Sequence, residues 1–337
     1  MPKAFLALAS SAVVGLLTLF AANLAASQTA VMKVGGPTIN DTTHNWMKIV
    51  ERRVEARSNG RIDVQLYPAS QLGAIPRMIE GTQLGTIEVS IMPPDFLAGV
   101  DPRYSLPAAP GIFSDVSHGY RTMHDPAFKK LFWGLGDQKN LWTIGMTCDT
   151  PTTYVFRRPV TTLANFKGKK IRIFASPMER ETMRRLGGTG VPMPLSEVLP
   201  GLDRGIVDGA KGTVTVFLPF KYYDLAKHIT RTDEGLICVI KNASWMWMEK
   251  LPSDLRTIVA EEAVAADEEN MPFILEFLDK SYAAWRANGG EIHDLPAAER
   301  RALMADLSKV GDAVVANNER MKEAYELMKA AATRTRR

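Results

Sequence analysis

Hydrophobic and polar positions along the chain change period in an ordered way. Val31 to Gly35 is a short apolar run that reads as a strand, and Trp46, Met47, Val50 and Val54 then recur at helical spacing until Asn59-Gly60 stops the pattern. Asp41 or Thr42 is placed to cap that helix. Ile62, Val64 and Leu66 alternate with Asp63 and Gln65, a half-buried strand closed by Pro68. Pro76 suits the first turn of a second helix ending near Gly85, and Ile87, Val89 and Ile91 form a third strand. The order β-α-β-α-β predicts a parallel sheet. From Lys169 it recurs: strand Lys170 to Phe174, helix from Pro177 to Leu186, strand near Val191, helix from Ser196 to Arg204, strand Ile206 to Gly209.

Two parallel-sheet lobes offer two sets of strand carboxyl ends, and open α/β sheets bind ligands outside those ends. Facing lobes would place a site in the cleft between them. Leu141 to Val155 and Leu236 to Ile240 have the length and apolar character of strands crossing between lobes, and so of a hinge. Toward the C-terminus, Leu255, Ile258, Val259, Ile274, Phe277, Leu278, Tyr282 and Trp285 keep helical spacing until Gly289-Gly290, with Pro272 inside the run. A kinked long helix, or two helices end to end, is expected there. The resulting division is 1–27 a signal segment, 28–148 mainly one lobe, 149–238 mainly the other, 239–330 C-terminal strands and helices packing across both, and 331–337 a frayed basic tail.

Composition narrows the function. Of 337 residues, 46% are hydrophobic and 23% charged, an ordinary globular balance. The net charge of +4 is accounted for by Lys3, Arg334, Arg336 and Arg337, so the body is neutral and no nucleic-acid partner is expected. Lys3, the apolar run Ala4 to Ala22 and the small residues to Ser27 have the pattern of a cleaved secretory signal, the alternative being an uncleaved anchor. Cys148 and Cys238 would then sit in an oxidising space, where two separate buried thiols are the preferred reading and a disulfide the other. His44, His118, His124, His228 and His293 show no metal-ligand spacing, and no P-loop, H-E-x-x-H, G-x-S-x-G or complete G-x-G-x-x-G occurs. No metal or cofactor is expected.

Seven segments, in order, carry a resemblance to a known family. They are Ser58-Asn59-Gly60-Arg61-Ile62; Tyr67 to Gly73; Leu106-Pro107 with Gly111-Ile112-Phe113; Arg158-Pro159-Val160; Phe166 to Ile173; Pro192-Met193-Pro194 leading into Ser196-Glu197-Val198; and Gly205 to Gly209. From about Val31 to Tyr325 the chain resembles the DctP-type extracytoplasmic substrate-binding proteins of TRAP transporters. The resemblance implies a periplasmic protein with a two-lobed periplasmic-binding-protein-like fold, each lobe a mostly parallel sheet flanked by helices, with a long helix bridging them. It also implies capture of a small organic acid for an ion-gradient-driven TRAP permease, with no enzymatic activity. The family's carboxylate-binding arginine maps onto Arg172, a less uniform one onto Arg158, and further ligand contacts onto Leu195, Met92 and Pro93. Where many relatives read Asp-Gly-Gln-Glu-Asn-Pro, this chain has Asp208-Gly209-Ala210-Lys211-Gly212-Thr213, so Gly212 replaces a ligand-contacting asparagine and Lys211 brings a cation.

The residues support Arg172 independently. It lies mid-strand between Ile171 and Ile173, where a covered parallel sheet is usually apolar on both faces. A desolvated guanidinium needs an anion, and its fork matches a carboxylate. An internal salt bridge to Glu197 or Asp208 is the competing explanation. Arg157 and Arg158 point opposite ways in an extended segment, and Lys211 is either a surface lysine or a second anchor. Tyr154, Phe156, Phe217, Tyr222 and Tyr223 are pocket or core aromatics. A secreted α/β enzyme acting on an anionic substrate, or the binding protein of an ATP-driven importer, are the alternative functions.

Overall fold

The computed structural model describes residues 29–336, so the segment 1–27 read as a signal lies outside the described residues. Among the described residues, nine strands form one mixed sheet: β1 (Ala30–Gly35), β2 (Ile62–Tyr67), β3 (Val89–Met92), β4 (Leu141–Phe156), β5 (Lys170–Ile173), β6 (Thr189–Pro192), β7 (Gly209–Gly212), β8 (His228–Ser244) and β9 (Glu291–Asp294). Their order is β2-β1-β3-β8-β4-β7-β5-β6, with β9 added on β8. As the periodicity anticipated, β1, β2 and β3 are mutually parallel on one side, and β5, β6 and β7 on the other.

The long antiparallel pair β4 and β8 joins these halves. Leu141 to Cys148 faces Cys238 to Ser244 beside β3, and Thr153 to Phe156 faces His228 to Arg231 beside β7. Register shifts near Thr143/Gly145, Cys148/Thr150 and Pro151/Thr153 interrupt the ladder between the halves. Bulges bend and twist a sheet, so the segment shared by both halves is the one whose pairing is least regular.

Local chemistry accounts for the element ends. Asp41 Oδ1 accepts from His44 N at 3.0 Å and caps helix Thr42–Ser58, which stops where Asn59 takes φ 52°. The strand expected at Ile206 to Gly209 forms three residues later, at Gly209–Gly212. Ile206 and Val207 donate to Gly201 O as the preceding helix ends, which leaves Ile206 exposed. The ladder starts at Gly209, paired with Phe156, whose ring occupies the space that a Cβ at 209 would need, 2.2 Å away, so the position requires glycine.

A single helix, Ser253–Ala287, passes through Pro272, and β9 follows it. Its 35 residues would span roughly 50 Å. Leu255, Ile258, Val259, Ala263 and Ala266 join the core of the β1–β3 half, while Trp285 lies in that of the β5–β7 half, so it bridges the two. Arg53 and Arg57 pair with Glu262 at 2.7 and 2.6 Å along the facing helix. The expected frayed tail is a correction: helix Glu319–Thr335 runs through it, Ala331 and Ala332 are buried, and Arg334 pairs with Asp125 at 2.8 Å.

The preferred reading of the cysteines is also corrected. Cys148 and Cys238 are disulfide-bonded, because β4 and β8 place them directly opposite each other across 90 residues of sequence.

Candidate functional site

A cavity opens between the halves. Residues at the carboxyl ends of parallel strands line it: Pro37 and Thr38 after β1, Met92 and Pro93 at β3, Phe174 after β5, and Gly212 and Thr213 at β7. The crossing strands add Asp149, Thr150, Ile237 and Val239 to its floor.

Arg172 reaches the cavity from β5 and is 2% exposed. Its Nε donates to Met193 O and its Nη1 to Lys211 O, both at 2.9 Å. Phe174 lies under the guanidinium, 4.6 Å from ring centroid to Cζ. No carboxylate among the described residues forms an ion pair with it: Asp208 Oδ2 instead accepts from Lys170 N at 2.8 Å. Burial pulls the guanidinium down to about 10, with Tyr222, Glu179 and Asp95 acting the other way. Two backbone carbonyls thus aim a charged fork whose remaining N–H groups face the cavity lining.

Lys211 is buried rather than solvated. Its Nζ donates to Glu179 Oε1 at 2.6 Å and lies 3.4 Å from Glu234 Oε1, which also accepts from Tyr154 Oη at 2.8 Å. Burial pulls the ammonium down, and Glu179 and then Glu234 more than reverse it, holding it above its ordinary value. Asp95, from the opposite half, joins this cluster; burial and then Glu179 push its carboxyl up to about 7. Lys211 is therefore neutralised from within the chain, and it touches the cavity as one wall of an internal ion cluster.

At the other side, Asp41 and Asp149 border the cavity beneath helix Thr42–Ser58. Burial pushes Asp41 up to about 6, against the lowering effect of the His44 N–H, and raises Asp149 as well. Asp149 Oδ2 accepts from Thr42 Oγ1 at 2.8 Å, while its Oδ1 is buried without a hydrogen-bond partner among the described residues. The cavity is thus bipolar: a guanidinium on one wall and two carboxyls on the other.

Of the residues singled out in the sequence, Arg172, Lys211, Gly212, Leu195, Met92 and Pro93 meet at this cavity. Arg158 does not. It is the second residue after β4 ends at Phe156, past the end of the ladder, and is exposed outside the cavity lining. Phe217 and Tyr222 are lining aromatics, whereas Tyr154 and Phe156 pack on Phe166 and Tyr223 on Trp285. Sequence reasoning saw Asp41 only as a helix cap and passed over Asp149. An acidic residue inside the apolar crossing strand was the available signal for Asp149.

The DctP family, described as bacterial extracellular solute-binding protein, family 7, matches residues 36–318. The 2,3-diketo-L-gulonate-binding periplasmic protein YiaO of Escherichia coli (strain K12) is 27% identical over 288 residues, covering 81% of this chain and 85% of that one. The C4-dicarboxylate-binding periplasmic protein DctP of Rhodobacter capsulatus is 28% identical over 272 residues, 78% of this chain and 79% of its own. The solved structure of the sugar acid binding protein DctPAm from Advenella mimigardefordensis, in complex with galactonate, matches with a TM-score of 0.86 at 17% identity, covering 92% of this chain and 99% of that one. The periplasmic ectoine-binding protein of the TeaABC TRAP-transporter of Halomonas elongata matches at 0.84 and 21%, over 90% and 99%. These structural likenesses are of fold: two lobes, shared crossing strands and a bridging helix. With its family match spanning most of the described residues, the chain belongs to the DctP family of bacterial extracellular solute-binding proteins.

Proposed function

We propose that this protein captures a small hydroxylated monocarboxylate between its lobes and delivers it to a TRAP-type permease in the periplasm, after export by residues 1–27. The observation that carries the reading is Arg172, a buried guanidinium with no carboxylate partner among the described residues. Leaving such a charge unpaired is costly, and a bidentate carboxylate supplies the partner. Met92, Pro93, Leu195 and Gly212 would enclose the body of the ligand.

The charge balance argues against a dicarboxylate. A second carboxylate would find Lys211 already engaged by Glu179 and Glu234, and Asp41 and Asp149 on the far wall. Those two carboxyls suit hydrogen-bond donors, as hydroxyl groups are. Relatives that bind 2,3-diketo-L-gulonate or galactonate are consistent with such a body.

The test is a thermal-shift screen of the mature protein against matched sets of plain, hydroxylated and dicarboxylic acids, followed by calorimetry. Saturation at 100 times the dissociation constant stabilises by about 2.7 kcal/mol. Hydroxy monocarboxylates should give the largest shifts and be recovered unchanged. A preference for dicarboxylates, or turnover of the ligand, would overturn the reading.

A further inference from the structure

Where β9 joins the start of β8, three potential metal ligands converge. β9 pairs with β8 in parallel, with His228 opposite Glu291 and Thr230 opposite His293. Glu291 and His293, two apart on one strand, project to the same face. The His228 side chain is 8% exposed, that of His293 20% and that of Glu291 47%, so the group is buried at one corner and open at another. None of the three lines the cavity.

The distances are informative. His228 Nδ1 lies 3.3 Å from His293 Nε2 and 3.3 Å from Glu291 Oε2, and His293 Nε2 lies 3.7 Å from that same oxygen. Charge-assisted hydrogen bonds are shorter, about 2.7–2.9 Å. A tetrahedral ion bound by nitrogen and oxygen at about 2.0–2.2 Å separates its ligands by roughly 3.3–3.6 Å, a factor of about 1.63. Two of the three separations fall in that range and the third, 3.7 Å, lies just above it, so a small movement of the exposed Glu291 carboxylate brings the three atoms onto one face of such a tetrahedron. A square or octahedral site would need ligands nearer 2.9 Å, about 1.41 times a 2.05 Å bond.

The surrounding structure holds this arrangement in place. Glu291 N donates to Lys227 O at 2.7 Å, and Glu291 O accepts from Trp285 Nε1 at 3.3 Å, fixing the backbone of β9 on both sides. Lys227 Nζ lies 3.4 Å from Glu291 Oε1, the oxygen turned away from the histidines.

We propose that His228, Glu291 and His293 form a zinc site, three-coordinate from the protein with a fourth position open to water. Its effect is on the scaffold: the ion ties β9, which returns the bridging helix to the sheet, onto the end of crossing strand β8. It does not depend on which solute the cavity accepts.

The experiment uses the mature chain, freed of any affinity tag and stripped with chelator, titrated with zinc alone by calorimetry and with cobalt(II) by absorption. One equivalent of zinc should bind with micromolar or tighter affinity and raise the melting temperature by a few degrees at 100-fold excess over the dissociation constant. Cobalt should give the intense visible bands of four-coordinate geometry. His293→Ala should weaken zinc binding at least 30-fold and Glu291→Gln several-fold, with metal-free melting temperature and solute affinity preserved. His293→Ala and Glu291→Gln both binding zinc as wild type does, or cobalt showing only the faint spectrum of six-coordination, would overturn the site. Glu291→Gln keeps the test decisive should His293→Ala fail to fold.

Discussion

Arg172 commits two of its N–H groups to Met193 O and Lys211 O, which fix its direction without neutralising its charge. Removing it should therefore cost binding rather than folding. Arg172→Gln should lower ligand affinity roughly 30-fold to several-thousand-fold, with apo melting temperature unchanged or higher. Arg172→Lys, which keeps charge but loses the planar fork, should also bind markedly worse, both being read by calorimetry alongside thermal unfolding. Asp41 makes a second residue-scale prediction. Its folded pKa of about 6 lies above the ordinary 3.8, so folding favours the protonated form. That contribution is complete below about pH 4 and is lost as pH rises through about 6. Asp41→Asn keeps a capping oxygen while abolishing the titration, so it should flatten the stability profile across that window. At pH 7 it should stabilise the apo protein by on the order of 2 kcal/mol, measured by urea unfolding. Donor groups of the proposed ligand would reward the ionised form, so wild-type affinity should rise from pH 5 to 7 and that of the variant should not.

The bridging helix is anchored to the crossing strands by one buried ion pair. Lys241 Nζ donates to Asp267 Oδ1 at 2.7 Å and to Thr147 Oγ1 at 2.8 Å, while Asp267 Oδ2 accepts from Met146 N at 2.7 Å. Gly145 makes room for the contact, since a Cβ there would lie 2.7 Å from Asp267 Oδ2. The helix thus grips β4 and β8 at once, close to the bulges that separate the halves. Asp267→Asn would leave the Lys241 ammonium buried and unpaired, so a loss of about 3–5 kcal/mol in denaturant-measured stability is expected. Loss below about 1 kcal/mol would show that water reaches Lys241 and that the anchor is dispensable.

For the whole molecule, the cavity lies between two bodies joined by β4, β8 and one helix, which is the construction of a hinge. Contacts from both sides meet across it: Phe96 packs on Phe174 with ring centroids 5.9 Å apart, and Asp95 enters the Glu179–Lys211 cluster. We propose that lobes divided near residues 148 and 238 close on the ligand through these contacts. Saturation with a verified ligand should decrease the radius of gyration measured by small-angle scattering. An unchanged radius would mean that the cavity fills without closure.

Local order was legible because it depends on neighbours within a few residues. The alternation at Ile62, Val64 and Leu66, the cap at Asp41, the stop at Asn59 and the strand–helix alternation in both halves all follow from side-chain period and backbone preference. Arg172 stood out for a related reason: a charge between Ile171 and Ile173 has no solvent-facing explanation in a covered sheet. Pairing was not legible, because it is set by register between distant strands. The antiparallel ladder of β4 and β8 places Cys148 on Cys238, and the long helix brings Asp267 to Lys241. Tertiary packing likewise turned Lys211, expected as a surface residue or a second anchor, into the centre of an internal cluster, and left Arg158 at the surface. His228 and His293 stand 65 residues apart in the chain and 3.3 Å apart in the fold. Sequence alone determined which segments become strands and helices and where an unmatched charge must be explained. Only the tertiary structure decided which charge meets which partner, because Coulomb energy and desolvation depend on distance and burial in space and not on separation along the chain.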